Sequence, residues 1–292
     1  MVLIYYKDRR GISNLEKVAL VTGSSSGIGF ETSVLLARNG FRTYSTVRNL
    51  EKSQALINIA KQDGLPLQVI ELDVSSDKSV RDGVSSVLDE NKSIDVIVNN
   101  AGYALVGAFE DLSMDEIKAQ FETNFFGVIR VIQAVLPTMR DHRNGRIVNL
   151  SSMGGRIAIP LDSAYHGTKF ALEGLSESLQ YEVEPFGIKI ILIEPGAIKS
   201  NFFNNLKMAA KAQRPDSPYT QMMRKLNAGF SFILENAPPP VEVARVILKA
   251  ITSEHPELRY PVGDDATALL KAKRTMSDAE FGNLMKKQFL SQ

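Results

Sequence analysis

The sequence predicts an α/β fold, in which a doubly wound parallel sheet is covered by helices on both faces. Seven short apolar runs recur along the 292-residue chain, and several of them are nearly continuous in valine, isoleucine and leucine. Such runs are expected of parallel strands that are buried on both faces. The segments between them are long enough for crossover helices, and repeated β–α alternation is typical of sheets with right-handed connections.

The predicted strands are, in chain order, Val18–Thr22, Arg42–Val47, Gln68–Leu72, Asp95–Val98, Gly145–Asn149, Lys189–Ile193 and Leu258–Pro261. Crossover helices are predicted at Glu31–Arg38, Leu50–Gln62, Lys78–Asp89 and Val241–Thr252. A longer helix is predicted at Tyr165–Val183, where leucines recur at three- and four-residue steps before Pro185 and Gly187 end it. The segment after Gly263 is predicted to be a solvated helix that covers residues 200–240.

The chain is predicted to form a single domain over residues 16–292, preceded by an extension at residues 1–15. Residues 200–240 are rich in Phe, Met, Asn and Lys and close with three prolines. Because a helix and a last strand follow, this segment is interpreted as an insertion within the sheet rather than as a second domain.

Composition excludes several classes of site. The sequence has no cysteine and only three scattered histidines, so neither a thiolate nor a zinc cluster is expected, and no metal is predicted. Basic and acidic residues balance at 34 and 33, which predicts neither a nucleic-acid nor a membrane-surface partner. The start of the chain does not resemble a signal peptide, so we expect a cytoplasmic protein.

A glycine-rich turn follows the first predicted strand and opens the first helix, with the sequence Thr22-Gly23-Ser24-Ser25-Ser26-Gly27-Ile28-Gly29. Glycine is needed where the backbone turns sharply and where a Cβ would block a phosphate or the facing strand. The helix N-terminus then offers free N–H groups and partial positive charge to a pyrophosphate. A dinucleotide site is therefore predicted. The alternative is an ordinary strand–helix turn, since the spacing differs from the common G-x-G-x-x-G.

The end of the second strand indicates which dinucleotide is bound. It carries Arg48, and no acid occurs before Glu51. A guanidinium there suits the 2′-phosphate of NADP(H), whereas an acid would accept from the ribose of NAD(H). NADP(H) is thus favoured, with NAD(H) as the second choice; alternatively, Arg48 is a solvated loop charge. Asp73, after the third strand, either contacts the adenine edge or caps the strand end.

Tyr165 and Lys169 lie four residues apart in one predicted helix, so their side chains emerge on the same face. An ammonium near the phenol would favour the phenolate and lower its pKa, which would ease proton transfer near neutral pH. Lys169 would also reach the ribose hydroxyls of a nicotinamide. Alternatively, the two residues form an ordinary exposed helix pair.

Ser152 follows the fifth strand at the carboxyl edge of the sheet, where α/β folds bind ligands. Its hydroxyl would donate to a developing alkoxide, and Ser151 is the competing candidate. Asn124 is a polar residue in an otherwise apolar helical stretch. It either holds a water molecule beside Lys169 or is a buried amide that the backbone satisfies.

From about Lys17 to Pro261 the chain resembles the short-chain dehydrogenase/reductase family, in its single-domain branch. Thr22–Gly29 matches the family pattern T-G-x-x-x-G-x-G, and Asn99–Gly102 is similar to its N-N-A-G. The family's catalytic tetrad is matched by Asn124, Ser152, Tyr165 and Lys169, and the thirteen-residue step from serine to tyrosine selects Ser152 over Ser151. The resemblance implies a Rossmann-type sheet of seven strands and cofactor contacts at Gly23, Ser25, Ser26, Gly27, Ile28, Gly29, Arg48, Asp73, Val74, Asn100, Ala101, Gly102, Tyr165, Lys169, Pro195, Gly196, Ile198 and Ser200.

The resemblance also implies hydride transfer between a nicotinamide and a carbonyl or secondary alcohol. Tyr165 would act as general acid/base, Lys169 would tune it, Ser152 would stabilise the oxygen and Asn124 would complete a proton relay. One position departs from the family: members that prefer NADP often have a basic residue where Ser26 stands, so phosphate selection would depend on Arg48. A catalytically silent NADP(H)-binding redox sensor that acts through a protein partner is the alternative function.

Within the family, Val47-Arg48 and Asn99–Tyr103 are similar to 17β-hydroxysteroid and retinol dehydrogenases, and carbonyl reductases are also similar. A homodimer or homotetramer is implied, paired through the helices that start near Ser113 and Tyr165. Residues 200–240 correspond to the family's substrate lid. Its large apolar side chains either bind an apolar small-molecule substrate or pack the lid onto the protein, and they are Phe202, Phe203, Met208, Tyr219, Met222, Met223, Phe230 and Phe232.

Overall fold

A computed structural model describes residues 17–200, 202 and 206–289, without the side chains of residues 230–232. The predicted extension at residues 1–15 lies outside these residues, as do Phe203 and the side chains of Phe230 and Phe232. Among the residues described, no helix combines the length and the apolar character needed to cross a membrane.

The strands of the described residues lie close to their predicted positions. They are β1 (Val18–Val21), β2 (Arg42–Val47), β3 (Leu67–Glu71), β4 (Val96–Asn99), β5 (Leu105–Val106), β6 (Gly145–Leu150), β7 (Ile188–Pro195), β8 (Lys207–Met208) and β9 (Arg259–Val262). Seven of these described strands form one parallel sheet in the order β3-β2-β1-β4-β6-β7-β9, which confirms the prediction. The direction of winding reverses between β1 and β4, and open α/β sheets bind ligands at the carboxyl ends of the strands at such a point.

Strands β5 and β8 were not predicted, and they pair in parallel as a separate two-stranded sheet. Lys207 N–H donates to the Ala104 carbonyl at 2.9 Å, and Ala209 N–H donates to Val106 at the same distance. This pairing fastens the insertion after residue 200 to the loop that follows β4.

The helices of the described residues are α1 (Gly27–Arg38), α2 (Gln54–Asp63), α3 (Asp77–Asn91), α4 (Met114–Phe121), α5 (Gly127–His142), α6 (Ser163–Val183), α7 (Thr220–Glu235), α8 (Pro240–Thr252), α9 (Asp264–Thr275) and α10 (Asp278–Phe289). A π-helical turn, Glu122–Phe126, joins α4 to α5. The first helix begins four residues earlier than predicted because the glycines form its first turn. The second begins later, since Leu50–Ser53 is a separate 3-10 turn capped by Asn49.

Helices cover both faces of the sheet. On one face, Leu20, Ile97 and Ile147 of the sheet pack with Val131 of α5 and Leu172 of α6. On the other face, strand residues pack against Leu36 of α1 and Ile247 of α8.

The end of the chain is not the solvated helix that the sequence predicted. It forms α9 and α10, and α10 buries Phe281, Met285 and Phe289 in a cluster with Leu226 of α7 and Leu161. This cluster places α10 against the insertion, beside the carboxyl edge of the sheet.

Two buried amides join the centre of the sheet to α6. Asn99 Nδ2 donates to Asn149 Oδ1 at 2.9 Å, and Asn149 Nδ2 donates to the Ser176 hydroxyl at 2.9 Å. All three side chains are buried, so each depends on the others for its hydrogen bonds. The chain of bonds sets the position of α6 relative to β4 and β6.

Replacing Asn149 with alanine should lower the free energy of unfolding by about 2–4 kcal/mol, because it leaves a cavity and removes a partner from both Asn99 and Ser176. Urea unfolding would measure the loss. Asn144→Ala is the matched control, since Asn144 is exposed and its amide donates to Asp95 at 3.1 Å; it should cost less than about 1 kcal/mol. Equal losses in the two variants would contradict the role of the buried amides.

Candidate active site

The carboxyl ends of the central strands open into a cavity of about 740 Å³. It brings together all of the predicted catalytic and cofactor residues except Gly29 and Asp73. Those that line it are Gly23, Ser25, Ser26, Gly27, Ile28, Arg48, Val74, Asn100, Ala101, Gly102, Asn124, Ser152, Tyr165, Lys169, Pro195, Gly196, Ile198 and Ser200.

The glycine turn forms one wall of this cavity, and its geometry requires glycine. Gly23 has a φ of +69°, and a Cβ there would lie 2.7 Å from the Ala101 Cα. Gly29 lies behind the cavity wall, where a Cβ would come within 2.4 Å of Asn100 Nδ2. Helix α1 has no side-chain cap and no acid in its first turn, so its N–H groups and its positive end are open to an anion.

The loop after β4 holds this turn in place. The Thr22 hydroxyl accepts the N–H groups of Asn100 and Ala101 at 3.0 and 3.1 Å. In return, Asn100 Nδ2 donates to the carbonyls of Thr22 and Gly23 at 2.8 and 3.0 Å. The Asn99–Gly102 segment therefore fixes the shape of the phosphate cradle.

Arg48 lines the cavity at the end of β2 and is exposed. Lys52, a nearby cation that the sequence analysis missed, also lines the cavity. Neither cation makes a hydrogen bond or an ion pair with a residue that the structure describes. The carboxylate of the nearby acid Glu51 is turned toward Asn49, whose Nδ2 donates to its Oε2 at 3.4 Å. Two cations without acidic partners thus stand where a 2′-phosphate would be recognised.

Asp73 lies outside the cavity lining. Its Oδ1 accepts the Ser75 N–H at 2.9 Å and the Ser75 hydroxyl at 2.7 Å. The carboxylate therefore caps the end of β3, which was the second of the two predicted alternatives, and Val74 is the residue of this segment that reaches the cavity.

Ser152, Tyr165 and Lys169 meet on the opposite wall. The Ser152 hydroxyl is close enough to Tyr165 to lower the pKa of the phenol, and the Ser152 oxygen accepts the Gly154 N–H at 3.0 Å. Lys169 is buried, its Nζ lies 5.7 Å from the Tyr165 ring centroid, and it donates to the Leu150 carbonyl at 2.6 Å. The Ser151 hydroxyl is buried and has no hydrogen-bond partner in the described part of the chain. Ser152, and not Ser151, therefore faces the phenol.

Burial sets the protonation of these groups. It raises the pKa of Tyr165 above its usual value, and the negative charge of Asp162 adds to this effect, while the hydrogen bond with Ser152 opposes it. Burial also lowers the pKa of Lys169 to about 8, although Glu173 opposes that change. The direction for Tyr165 is opposite to the predicted one, because desolvation raises the pKa by more than the Ser152 hydroxyl lowers it. In the protein alone the phenol therefore keeps its proton at neutral pH and can donate it.

Asn124 lies in the π-helical turn between α4 and α5, and its side chain is satisfied by backbone groups. Its Nδ2 donates to the Tyr103 carbonyl at 2.8 Å, and its Oδ1 accepts the Tyr103 N–H at 3.1 Å. The structure thus favours the second predicted alternative for this side chain. Turns of this kind are frequent at functional sites.

Asp265 is a site residue that the sequence analysis missed. It lies in the first turn of α9, where an acid looks like an ordinary helix-start residue. Its Oδ2 accepts the Ala197 N–H at 2.7 Å, and a Cβ on Gly196 would lie 2.1 Å from its Oδ1. This carboxylate therefore holds the loop that follows β7 at the cavity.

The rest of the cavity is mostly apolar. The Phe202 ring lies 6.1 Å from the Tyr165 ring, and Leu226 of α7 and Phe289 of α10 also line the space. The lid side chains differ in their surroundings. Phe202 faces the cavity, Met208 is exposed, and the remaining described side chains pack into the cluster with α10, namely Tyr219, Met222 and Met223.

Comparisons with known proteins agree with this geometry. The family model described as short chain dehydrogenase matches residues 17–211. The Bacillus subtilis protein named Uncharacterized oxidoreductase YusZ is 36% identical over 94% of this chain and 99% of its own. The 17-beta-hydroxysteroid dehydrogenase type 1 of Mus musculus is 36% identical over 83% of this chain and 72% of its own. Retinol dehydrogenase 8 of Bos taurus is 36% identical over 90% of this chain and 86% of its own.

Solved structures show the same fold. A short-chain dehydrogenase from Streptomyces avermitilis superposes with a TM-score of 0.80 at 35% identity, covering 96% of this chain and 98% of that one. An actinorhodin polyketide ketoreductase variant solved with NADPH has a TM-score of 0.73 at 26% identity, covering 86% of this chain and 97% of that one.

Asp265→Ala should raise the dissociation constant of the dinucleotide about tenfold, because one charge-assisted hydrogen bond that holds the Gly196-Ala197 loop is lost. Fluorescence titration with NADPH would measure it. Asp264→Ala is the control, since Asp264 is the adjacent acid in the same helical turn but is exposed and lies outside the cavity lining. Equal affinities in the two variants would contradict the positioning role of Asp265.

Proposed function

The chain belongs to the short-chain dehydrogenase family of oxidoreductases, and on that premise we propose that it transfers hydride between NADP(H) and a carbonyl compound or secondary alcohol. One observation carries the proposal. A phenol near a serine hydroxyl, with a buried ammonium 5.7 Å from the centre of its ring, lines the same cavity as an uncapped helix N-terminus.

The residues present fit a dinucleotide. The glycine turn and the open end of α1 would hold the pyrophosphate, and the loop fixed by Asp265 would border the nicotinamide. When bound, NADP(H) supplies or accepts the hydride. Lys169 would bind the nicotinamide ribose and add positive charge beside the phenol.

The protein's own part in the reaction is proton transfer and stabilisation of charge. In the direction of reduction, the Ser152 hydroxyl would donate to the carbonyl oxygen as negative charge develops there. Tyr165 would deliver its proton to that oxygen, and its raised pKa keeps the proton available at neutral pH. Asn124 would have a positioning role, because its side chain anchors the π-helical turn to the Tyr103 backbone.

NADP(H) is proposed over NAD(H) because of the charges at the end of β2. Arg48 and Lys52 line the cavity, whereas Glu51, the acid nearest in sequence, bonds to Asn49. A guanidinium without an acidic partner would form charge-assisted hydrogen bonds with the anionic 2′-phosphate of NADP(H), whereas the neutral 2′-hydroxyl of NAD(H) offers it no opposite charge.

We also propose a bulky apolar substrate and a homo-oligomeric protein. The cavity wall formed by Phe202, Leu226 and Phe289 suits an apolar group. Large apolar side chains are exposed on the elements that the family resemblance assigns to pairing: Phe126 is 45% exposed and Phe170 is 47% exposed. Burial of these rings against a second copy would remove an unfavourable surface.

Tyr165→Phe should lower kcat at least about a hundredfold while NADPH binding stays largely intact, because only the transferable proton is removed. A panel of ketones, aldehydes, quinones and β-oxoacyl thioesters, followed by NADPH oxidation, would supply the substrate, and fluorescence titration would supply the affinity. Tyr181→Phe is the matched control on the same helix, since Tyr181 is 69% exposed. Near-normal turnover by Tyr165→Phe would refute its role as proton donor.

Arg48→Leu should weaken NADPH binding by about 2 kcal/mol and leave NADH binding nearly unchanged, because one charge-assisted phosphate contact is lost. Paired titrations with the two cofactors would test this. Arg245→Leu removes an exposed arginine that pairs with Glu242 on α8 and serves as the control. A loss of the same size for NADPH and NADH would show that Arg48 does not select the phosphate.

A further inference from the structure

Asp162 stands at the N-terminal end of α6 but does not cap the helix. Aspartate is among the preferred capping residues, yet this side chain makes no capping hydrogen bond. Its Oδ1 is buried and has no hydrogen-bond partner among the residues described. A buried, unsatisfied carboxyl oxygen is unfavourable, so its position calls for a physical reason.

The turn before Asp162 is strained. Leu161 has a φ of +67°, a left-handed conformation that is unfavourable for a residue with a bulky side chain. Its surroundings hold it there: the side chain is buried in the cluster with Leu226 and Phe281, and its carbonyl accepts the Gly107 N–H at 2.8 Å. Strain that is enforced by packing in this way is typical of functional sites.

The Asp162 carboxyl faces the reacting groups. Asp162 lines the same cavity as Tyr165, and its charge raises the pKa of that phenol. It stands just before the first residue of α6, and Tyr165 is the third residue of that helix. A substrate whose carbonyl meets Tyr165 is therefore bound within range of the Asp162 carboxyl.

Neighbouring polar groups do not pair with it. His166 Nε2 accepts the Ile159 N–H at 3.1 Å, and Nδ1 bonds to the Gly154 carbonyl at 2.8 Å, so both ring nitrogens are occupied. Lys169 donates to Leu150. With no basic partner to offset it, burial raises the pKa of Asp162 to about 7. Met153, Ile157 and Leu226 also line the cavity and offer no donor side chain.

We propose that Asp162 is a specificity-determining residue that binds a hydrogen-bond donor, an ammonium or a hydroxyl, on the carbon next to the substrate carbonyl. The inference rests on the proposed function, since it concerns the substrate of the same site. An ammonium is the better partner because it neutralises the carboxylate as well as satisfying its lone pairs. The substrate class is accordingly a ketone with an amino or hydroxyl group beside the carbonyl and an apolar tail in the remaining space.

Three straight-chain ketones of equal length would test it, carrying an amino group, a hydroxyl or only hydrogen on the carbon next to the carbonyl. For the unmodified protein, kcat/KM for the amino ketone should exceed that for the plain ketone at least about tenfold, with the hydroxy ketone between them. Asp162→Asn should lower the ratio of amino to plain ketone at least about tenfold. Asp115→Asn removes an exposed acid from the first turn of α4 and should leave the ratio unchanged.

The outcomes separate the two proposals. If the plain ketone is reduced but Asp162→Asn leaves the ratio unchanged, the inference about Asp162 is wrong and the proposed function stands. If none of the three ketones is reduced, the proposed function fails for this class of carbonyl and the inference fails with it. A higher ratio for the hydroxy than for the amino ketone, abolished in Asp162→Asn, would identify the donor as a hydroxyl.

A binding measurement covers the case in which the variant folds poorly. Calorimetric titration of the NADP⁺-loaded protein with the amino alcohol of the same chain length should show at least about tenfold tighter binding than with the plain alcohol. The melting temperature of Asp162→Asn should equal or exceed that of the unmodified protein, because a buried unpaired carboxyl is removed. Equal affinity for the two alcohols in the unmodified protein would overturn the proposal without any variant.

Discussion

The buried ammonium of Lys169 is the constraint on which the rest of the site depends. A cation removed from water must find fixed partners, and here Nζ donates to the carbonyl of Leu150, the last residue of β6, at 2.6 Å. That single bond ties one turn of α6 to the edge of the sheet immediately before Ser152. Since Tyr165 lies one turn away on the same helix, the phenol is brought against the serine. Burial disfavours the charged form of the amine, so the pKa of Lys169 falls to about 8.

A set of ion pairs with buried carboxylates holds α6 in position against β7 and β9. Arg259 of β9 pairs with Glu173 of α6 at 3.0 Å and with Glu194 of β7 at 3.5 Å. Both carboxylates are buried, and burial raises the pKa of Glu194 to about 7 despite the arginines beside it. Glu173 also helps Lys169 to stay charged. One arginine therefore connects the helix that carries Tyr165 with the strand that leads into the Gly196-Ala197 loop.

The sequence predicted the parts of the protein that local chemistry determines. Apolar runs located the seven strands, glycines marked the turn that approaches phosphate, and a four-residue step placed Tyr165 and Lys169 on one face. What it missed depends on distant contacts. Asp265 lies 68 residues from the N–H that it accepts, and β5 pairs with a strand about a hundred residues later. The sign of the pKa shift at Tyr165 was wrong because a sequence does not show how completely a side chain is desolvated.

The two halves of the cavity therefore differ in how the sequence encodes them. Backbone geometry builds the dinucleotide half, in which a Cβ at Gly23 or Gly29 would collide with neighbouring atoms, so few substitutions are compatible with it. Side chains build the other half: Phe202 comes from the insertion, Phe289 from α10 and Asp162 from the strained turn before α6. These three can change without disturbing the glycine turn or the position of Lys169. A protein with this cavity can thus keep one hydride-transfer chemistry while its substrate is set by a few side chains far apart in the sequence.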